Sequence, residues 1–395
     1  MWDNFEFRIR KLRKTFEEGE KFVLFVGAGQ NGGQNVRLLW NDLIRNSCKI
    51  SFRQLFQQTG LGFEDSRAIL RAMGVEGNEA KNDEKLVNYI HSHFPVEIQV
   101  SIIKALMKNH YIPTLQSQLY SQCNHEVIKK AFSLYSPIKD FPDAPEGFRH
   151  LSPDSDSSGK ELYTLFVIAR MILLNPQIES VITYNFDNFI RQAVKVLLTN
   201  PENFFTDEEI EFLHSRYAAN DGKKMRLADK VKIVDMYGDV GSLQTTRDYD
   251  VFPVYHVHGY IPDPNEEEVS EDRDIVLALE DFVEQQTGGL SWQDAVQIKA
   301  FHDSNILFIG CSMTDLTMKR MINYAHTQGY NNKIFILGAD PSDQNIDTQR
   351  RMRALEELRV WYFDTLGASC INCPDGYDRL CDELYKINYV NHNKR

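Results

Sequence analysis

Long apolar runs, paired cysteines and an excess of basic charge are all missing from this 395-residue chain. No stretch approaches the roughly 18 unbroken apolar residues of a membrane-spanning helix, which excludes an integral helical membrane protein. The first residues lack the apolar core and small-residue cleavage site of a secretory signal, so a cytoplasmic protein is expected. Six cysteines without regular spacing read as reduced thiols, not as a disulfide framework. Cys370-Ile371-Asn372-Cys373 is a single CxxC followed by Cys381. No second CxxC completes the four ligands of structural zinc, and no metal is expected. Forty-four Lys and Arg stand against 56 Asp and Glu, a formal charge of -12. Direct nucleic-acid binding is not expected, because it depends on cations neutralising phosphates. The basic run from Arg8 to Lys14 reads as the solvated face of a terminal helix.

What is present is a globular composition, 42% hydrophobic and 11% aromatic, in a chain long enough for two domains. Phe5, Ile9, Leu12 and Phe16 recur at helical spacing over residues 4–19. Lys21 to Val26 (KFVLFV) is then a short apolar run ending in glycine, the mark of a strand buried on both faces. Similar runs occur at Ser180–Thr183, Val231–Met236, Val251–Val257, Ile275–Leu279, Ile306–Ile309 and Ile334–Leu337. Arg359-Val360-Trp361-Tyr362-Phe363 reads as the last strand. Helical stretches fall between them at Glu161–Asn175, Asp187–Leu198, Ala295–His302 and Thr314–His326, with Tyr377–Ile387 closing the chain. This alternation predicts an α/β fold, a Rossmann-like, doubly wound and mostly parallel sheet. Strand signals vanish between residues 50 and 160, where Val96–Met107 is helical and 136–160 is rich in Pro, Asp, Ser and Gly. The expected organisation is a Rossmann-like domain built from residues 1–49 and 161–395, interrupted by a large helical insertion over 50–160.

Four polar or glycine-rich turns sit at or just past the C-terminal ends of these runs, where open parallel sheets bind ligands. Gly27-Ala28-Gly29-Gln30-Asn31 joins a strand to a helix, and glycines there let backbone amides approach a diphosphate. It is neither a Walker loop nor a GxGxxG. Asn185 and Asp187 follow the second run; an amide can fix a hydroxyl or a water, while Asp187 is also a natural helix cap. Gly310-Cys311-Ser312, with Asp315 beyond it, is a second small-residue turn. Leu337-Gly338-Ala339-Asp340 is the fourth. His258 lies apart, before Gly259, and strand alternation would put it on the same side as His256. A histidine there can deprotonate a hydroxyl, or simply be a bonded core residue.

Together these motifs resemble the sirtuin-like (Sir2-like) family, in particular its bacterial branch that cleaves NAD in antiviral defence. The resemblance covers residues 21–45 and about 160–365. Gly27-Ala28-Gly29 is similar to the family's diphosphate loop, with Trp40 and Leu43 matching a downstream Trp-x-x-Leu. Tyr184-Asn185-Phe186-Asp187 is similar to the Asn-x-Asp motif of the nicotinamide pocket, His258-Gly259 to the catalytic His-Gly pair, and Gly310-Cys311-Ser312 with Asp315 to the ribose loop. The chain departs in carrying Asn31 where the family often has Ser. It also lacks the zinc ribbon of protein-deacylating sirtuins.

The resemblance implies an NAD+ glycohydrolase, a hydrolase of N-glycosyl bonds releasing nicotinamide and ADP-ribose. Asn185, Asp187 and His258 would be catalytic. Gly27, Ala28, Gly29, Gln30, Asn31, Gly310, Cys311, Ser312 and Asp315 would bind NAD. A protein deacylase or ADP-ribosyltransferase would use the same pocket, and a non-catalytic NAD or ADP-ribose sensor is a further alternative. By analogy the chain would be a homo-oligomer with a HerA-like ring ATPase or another defence partner, acting by NAD depletion in abortive infection. A phage protein or a guide-loaded short Argonaute is an equal candidate for the trigger.

Overall fold

Short apolar runs closed by turn residues fold here as parallel strands, and the segments between them as covering helices. The computed structural model describes residues 5–31, 43–51, 92–135, 162–217, 226–238, 251–265, 275–278, 280, 281, 283, 291–313, 315–339, 346–373 and 377–393. The strands are β1 (Phe22–Val26), β2 (Ile178–Thr183), β3 (Lys232–Met236), β4 (Val251–His256), β5 (Asn305–Ile309), β6 (Ile334–Ala339) and β7 (Ala368–Cys373). They form one seven-stranded sheet in the order β3-β4-β2-β1-β5-β6-β7, every pair parallel. Without the edge strand β3, this is the Rossmann order, with the chain reversing direction of travel between β1 and β5.

Side-chain alternation divides the core between the two faces. Phe22, Leu24 and Val26 of β1 join Leu307, Ile309, Phe335 and Leu337 on one side. Val23 and Phe25 join Ile182, Ile306, Phe308 and Ile336 on the other. The first face is covered by α1 (Phe5–Glu17) and by the helices Tyr163–Leu174 and Phe189–Thr199. Tyr163–Leu174 is buried all round, because further helices cover its outer side. Its Arg170 is kept by an ion pair with Glu209 at 2.6 Å and by stacking over Phe205. The second face lies under Trp292–Asp303 and Leu316–Thr327.

Between residues 50 and 160 the described part is helical. Val96–Met107 forms over the residues expected, followed by Tyr111–Gln122 and His125–Phe132, with Asn124 capping the last through the amides of Glu126 and Val127. These helices share the first-face core: Phe132 packs edge-on against Phe166, and Tyr120 against Phe189. Residues 136–160 lie outside the described set. No described helix is long and apolar enough to cross a membrane.

Two strand expectations are corrected. Arg359–Phe363 is the last part of a 20-residue helix, Ile346–Thr365. Phe363 is buried in the core and Val360 packs against it, whereas Trp361 is 65% exposed. The final strand is Ala368–Cys373, entered through Gly367 at φ +79°. Residues 275–278 are irregular. Their amides go to the His258 carbonyl (from Val276) and the Asp281 carboxylate (from Leu277 and Ala278), which leaves no ladder to join.

Candidate functional site

The register fixes which loops meet. Val26 pairs with Thr183 on one side and with Ile309 on the other, and Thr183 pairs with His256. Gly27, Asn185, His258 and Gly310 therefore leave four adjacent strands one or two residues beyond a common level. That level is the carboxyl edge of the sheet at its switch point.

The first and third turns touch there directly. The amide of Gly27 donates to the Ile309 carbonyl at 3.0 Å, and that of Gly29 to the Gly310 carbonyl at 2.9 Å. A Cβ on Gly27 would lie 2.6 Å from the Gly310 oxygen, and one on Gly29 would lie 2.7 Å from it. Both glycines are thus required by a backbone-to-backbone approach. Ala28–Asn31, including Gln30, forms a single 3₁₀ turn after β1. Trp40 and Gly32–Gly33 lie outside the described residues, as does Asp340. Cys311 turns its thiol down toward the carbonyls of Phe25 and Ile309, where burial raises its pKa. What Cys311 offers at the carboxyl edge is main chain, whereas Ser312 is exposed. Asp315 caps the helix Leu316–Thr327, its Oδ1 accepting from Thr317 N at 2.6 Å.

Asn185 is 4% exposed, and neither Nδ2 nor Oδ1 of its amide has a hydrogen-bond partner. Leaving such a group unmatched costs about 1–3 kcal/mol. Its main chain, by contrast, is pinned: the amide donates to Thr183 Oγ1, and its carbonyl accepts from Nδ1 of His256 at 3.0 Å. Nε2 of His256 meets Asp235 Oδ1 at 2.9 Å, and Asp235 also pairs with Arg191 at 2.7 Å. His256 is therefore a bonded core residue that holds Asn185 in place.

The two histidines do not share surroundings. Strand β4 ends at His256, and Gly259 at φ +98° closes a turn onto the His256 carbonyl. The expected alternation stops at that strand end, and His258 instead lies edge-on to Tyr184, ring centres 5.0 Å apart. Tyr184 is itself held by Gln297 at 2.6 Å. Burial lowers the pKa of His258, and Asp315, 3.7 Å away, partly opposes that. Asp187 is buried and its pKa is raised to about 6, chiefly by desolvation, while Phe189 N donates to its Oδ1.

Residues 179–363 match the family model of the SIR2-like domain. This SIR2-like region spans just under half of the 395 residues. It contains Asn185, Asp187, His258, Gly310 and Asp315, whereas the Gly27 turn precedes it. No curated protein matches the chain.

Sequence reasoning missed three supports of this site. Tyr120 reaches in from the helix Tyr111–Gln122 and donates to the Ile261 carbonyl at 2.7 Å, while its oxygen accepts from Asn188 N at 3.3 Å. Nothing in the sequence marks it. Asp235 could have been noticed as the lone carboxylate near the end of a strand, whereas Gln297 is one of two buried amides on its helix and nothing in the sequence sets it apart from Gln293. The CxxC cysteines flank no common site: Cys370 packs into the second-face core and Cys373 into the first. Among the described residues no group of three or more His, Cys, Asp or Glu could hold a metal ion.

Proposed function

We propose that this chain binds NAD at the carboxyl edge of the sheet and cleaves the nicotinamide–ribose bond with water. The products are nicotinamide, ADP-ribose and a proton. The observation that carries the reading is the Asn185 amide, buried and without a partner beside the Gly27–Gly310 contact. A donor and an acceptor kept dry and unmatched fit a ligand carrying hydroxyls, and a ribose is such a ligand. The main chain of the Ala28–Asn31 turn would approach the diphosphate, with the Gly29 amide excepted because it is held by the Gly310 carbonyl. His258, with its pKa lowered, is largely neutral at pH 7 and can accept a hydrogen bond from a ribose hydroxyl. Asp187, with a pKa of about 6, is mainly ionised at that pH. It would favour the positive charge that spreads over the sugar as nicotinamide departs.

The expected match is to a family that uses NAD, and the SIR2-like region supports it. The same reading places the protein as an effector of antiphage defence that depletes NAD, held in check by a separate partner such as a HerA-like ring ATPase. The test is nicotinamide release from NAD by the purified chain, alone and with the product of a neighbouring gene. Asn185→Ala and His258→Ala should each lower release by about 10²–10⁴ with folding intact. Full activity in both variants would overturn the reading.

A further inference from the structure

Among the described residues, the exposed large hydrophobics concentrate on one helix. Five of eight lie on Ile346–Thr365: Met352, Leu355, Leu358, Trp361 and Tyr362, at 40–67% exposure. Surface side chains scattered singly need no explanation, but a contiguous apolar patch marks an interaction site. The helix packs its other side onto β7, through Phe363 and through the Glu356–Asn372 bond. It is about 30 Å long at 1.5 Å per residue.

The identity of the occupant follows from the symmetry of the face. Arg351, Leu355, Leu358 and Tyr362 recur at spacings of four, three and four, which is the seam of a paired helix. That order reads the same from either end. An antiparallel copy would set Leu355 against the partner's Leu358, and Tyr362 against the partner's Arg351, where a guanidinium can lie over the ring. Charge agrees. Residues 346–355 hold Arg350, Arg351 and Arg353 against Asp347, whereas in residues 356–365 Glu356 pairs with Arg359 and Asp364 with Arg8, which leaves Glu357 as the acidic group of that half. Antiparallel pairing brings opposite halves together, and the helix as a whole is neutral in a chain of charge -12. Two copies can meet here without the repulsion they would feel elsewhere.

We propose that this helix is a two-fold interface, on which a second copy of the chain docks antiparallel along the Leu355–Leu358 seam. The helix pair forms the apolar centre. A stable dimer buries roughly 1,200 Å² or more in total, so the neighbouring surface at the β7 edge completes it. The inference is independent of the NAD reading.

Sedimentation equilibrium of the full chain tests it, with the mass expected at twice that of the chain at micromolar concentration. Leu355→Asp with Leu358→Asp should halve the mass while leaving the circular dichroism spectrum unchanged, since both side chains face solvent in one copy. Register is tested by oxidation. Arg351→Cys and Tyr362→Cys proteins should crosslink when mixed, and neither should crosslink alone, because like positions lie about 16 Å apart along an antiparallel pair. A wild-type chain that is monomeric, a mass unchanged by the double aspartate variant, or crosslinking within either cysteine variant alone would each overturn the proposal.

Discussion

Nε2 of His258 lies 3.7 Å from Oδ2 of Asp315, although the two leave strands β4 and β5, which are separated in the sheet by β2 and β1. The carboxylate has two duties. Oδ1 caps the helix Leu316–Thr327, and Oδ2 supports the positive form of His258 against burial. Asp315→Asn should separate them. It keeps an oxygen for Thr317 N but removes the charge, so the His258 pKa should fall further below 6.5, as read by NMR titration of its ring proton. Nicotinamide release should drop about tenfold, ~1.4 kcal/mol in the barrier. Asp315→Ala should add a stability loss of about 1 kcal/mol for the missing cap. An unmoved His258 titration would show that the charge does not act at 3.7 Å.

Asn185→Ala should uncouple stability from activity. The amide makes no hydrogen bond through its side chain, so truncation relieves an unmatched buried group while opening a small cavity. The two effects are each about 1–3 kcal/mol and oppose one another. The melting temperature should therefore stay within a few degrees of wild type while NAD cleavage is lost. A large fall in melting temperature would mean that the amide has a structural partner.

Two glycine substitutions should differ by kind. In Gly29→Ala the new Cβ would sit 2.7 Å from the Gly310 oxygen and 2.9 Å from its Cα, and both are backbone atoms that cannot swing away. The contact at the switch point must open, with an expected loss of about 3 kcal/mol. Gly367→Ala meets nothing within 4 Å, but the residue has φ +79°. It should lose only about 1–2 kcal/mol from left-handed strain. Denaturant melts compare them directly, and equal losses would remove the close-approach argument.

Much of this frame was legible in the chain, because parallel strands buried on both faces must be apolar throughout. Phe22–Val26 and Asn305–Ile309 announce themselves that way. Ala368–Cys373 does not: its Ser369 and Asn372 are polar and its buried cysteines are small. Arg359–Phe363 has the aromatic and β-branched content of a strand, yet it continues helix-forming residues with no breaker until Gly367. Register brings the Asn185 and His258 loops together, but long-range pairing decides what each side chain then meets. His256 meets Asp235, 21 residues earlier, and Tyr120 meets Asn188, 68 residues later. Local pattern carries no trace of either.

Asp187 gives the fold a specific pH signature. Its pKa is raised to about 6 by burial, from 3.8, so the folded state holds its proton more tightly than the unfolded chain. That contribution is fully present below pH 3.8 and is lost as pH rises through 6. Asp187→Asn retains an acceptor for Phe189 N and does not ionise. The variant should gain on wild type between pH 4 and 6.5, by an amount on the order of 3 kcal/mol at the plateau. Urea melts of both proteins without NAD would show it, and a stability difference flat with pH would refute the assignment.

Tyr120→Phe tests whether the inserted helices position the site. The hydroxyl donates to the Ile261 carbonyl and accepts from Asn188 N, which bridges the loop after β4 to the start of the helix behind Asp187. Removing it leaves buried main-chain groups unmatched while the ring keeps its edge-on contact with Phe189. A stability loss of about 1–3 kcal/mol is expected. A merely structural role would end there. If Tyr120 positions Asp187 and His258, amide exchange should rise at residues 185–189 and 258–261 and stay unchanged in β6 and β7. kcat for nicotinamide release should then fall while KM for NAD changes little. Exchange rising uniformly across the sheet, with kcat preserved, would reduce Tyr120 to a packing contact.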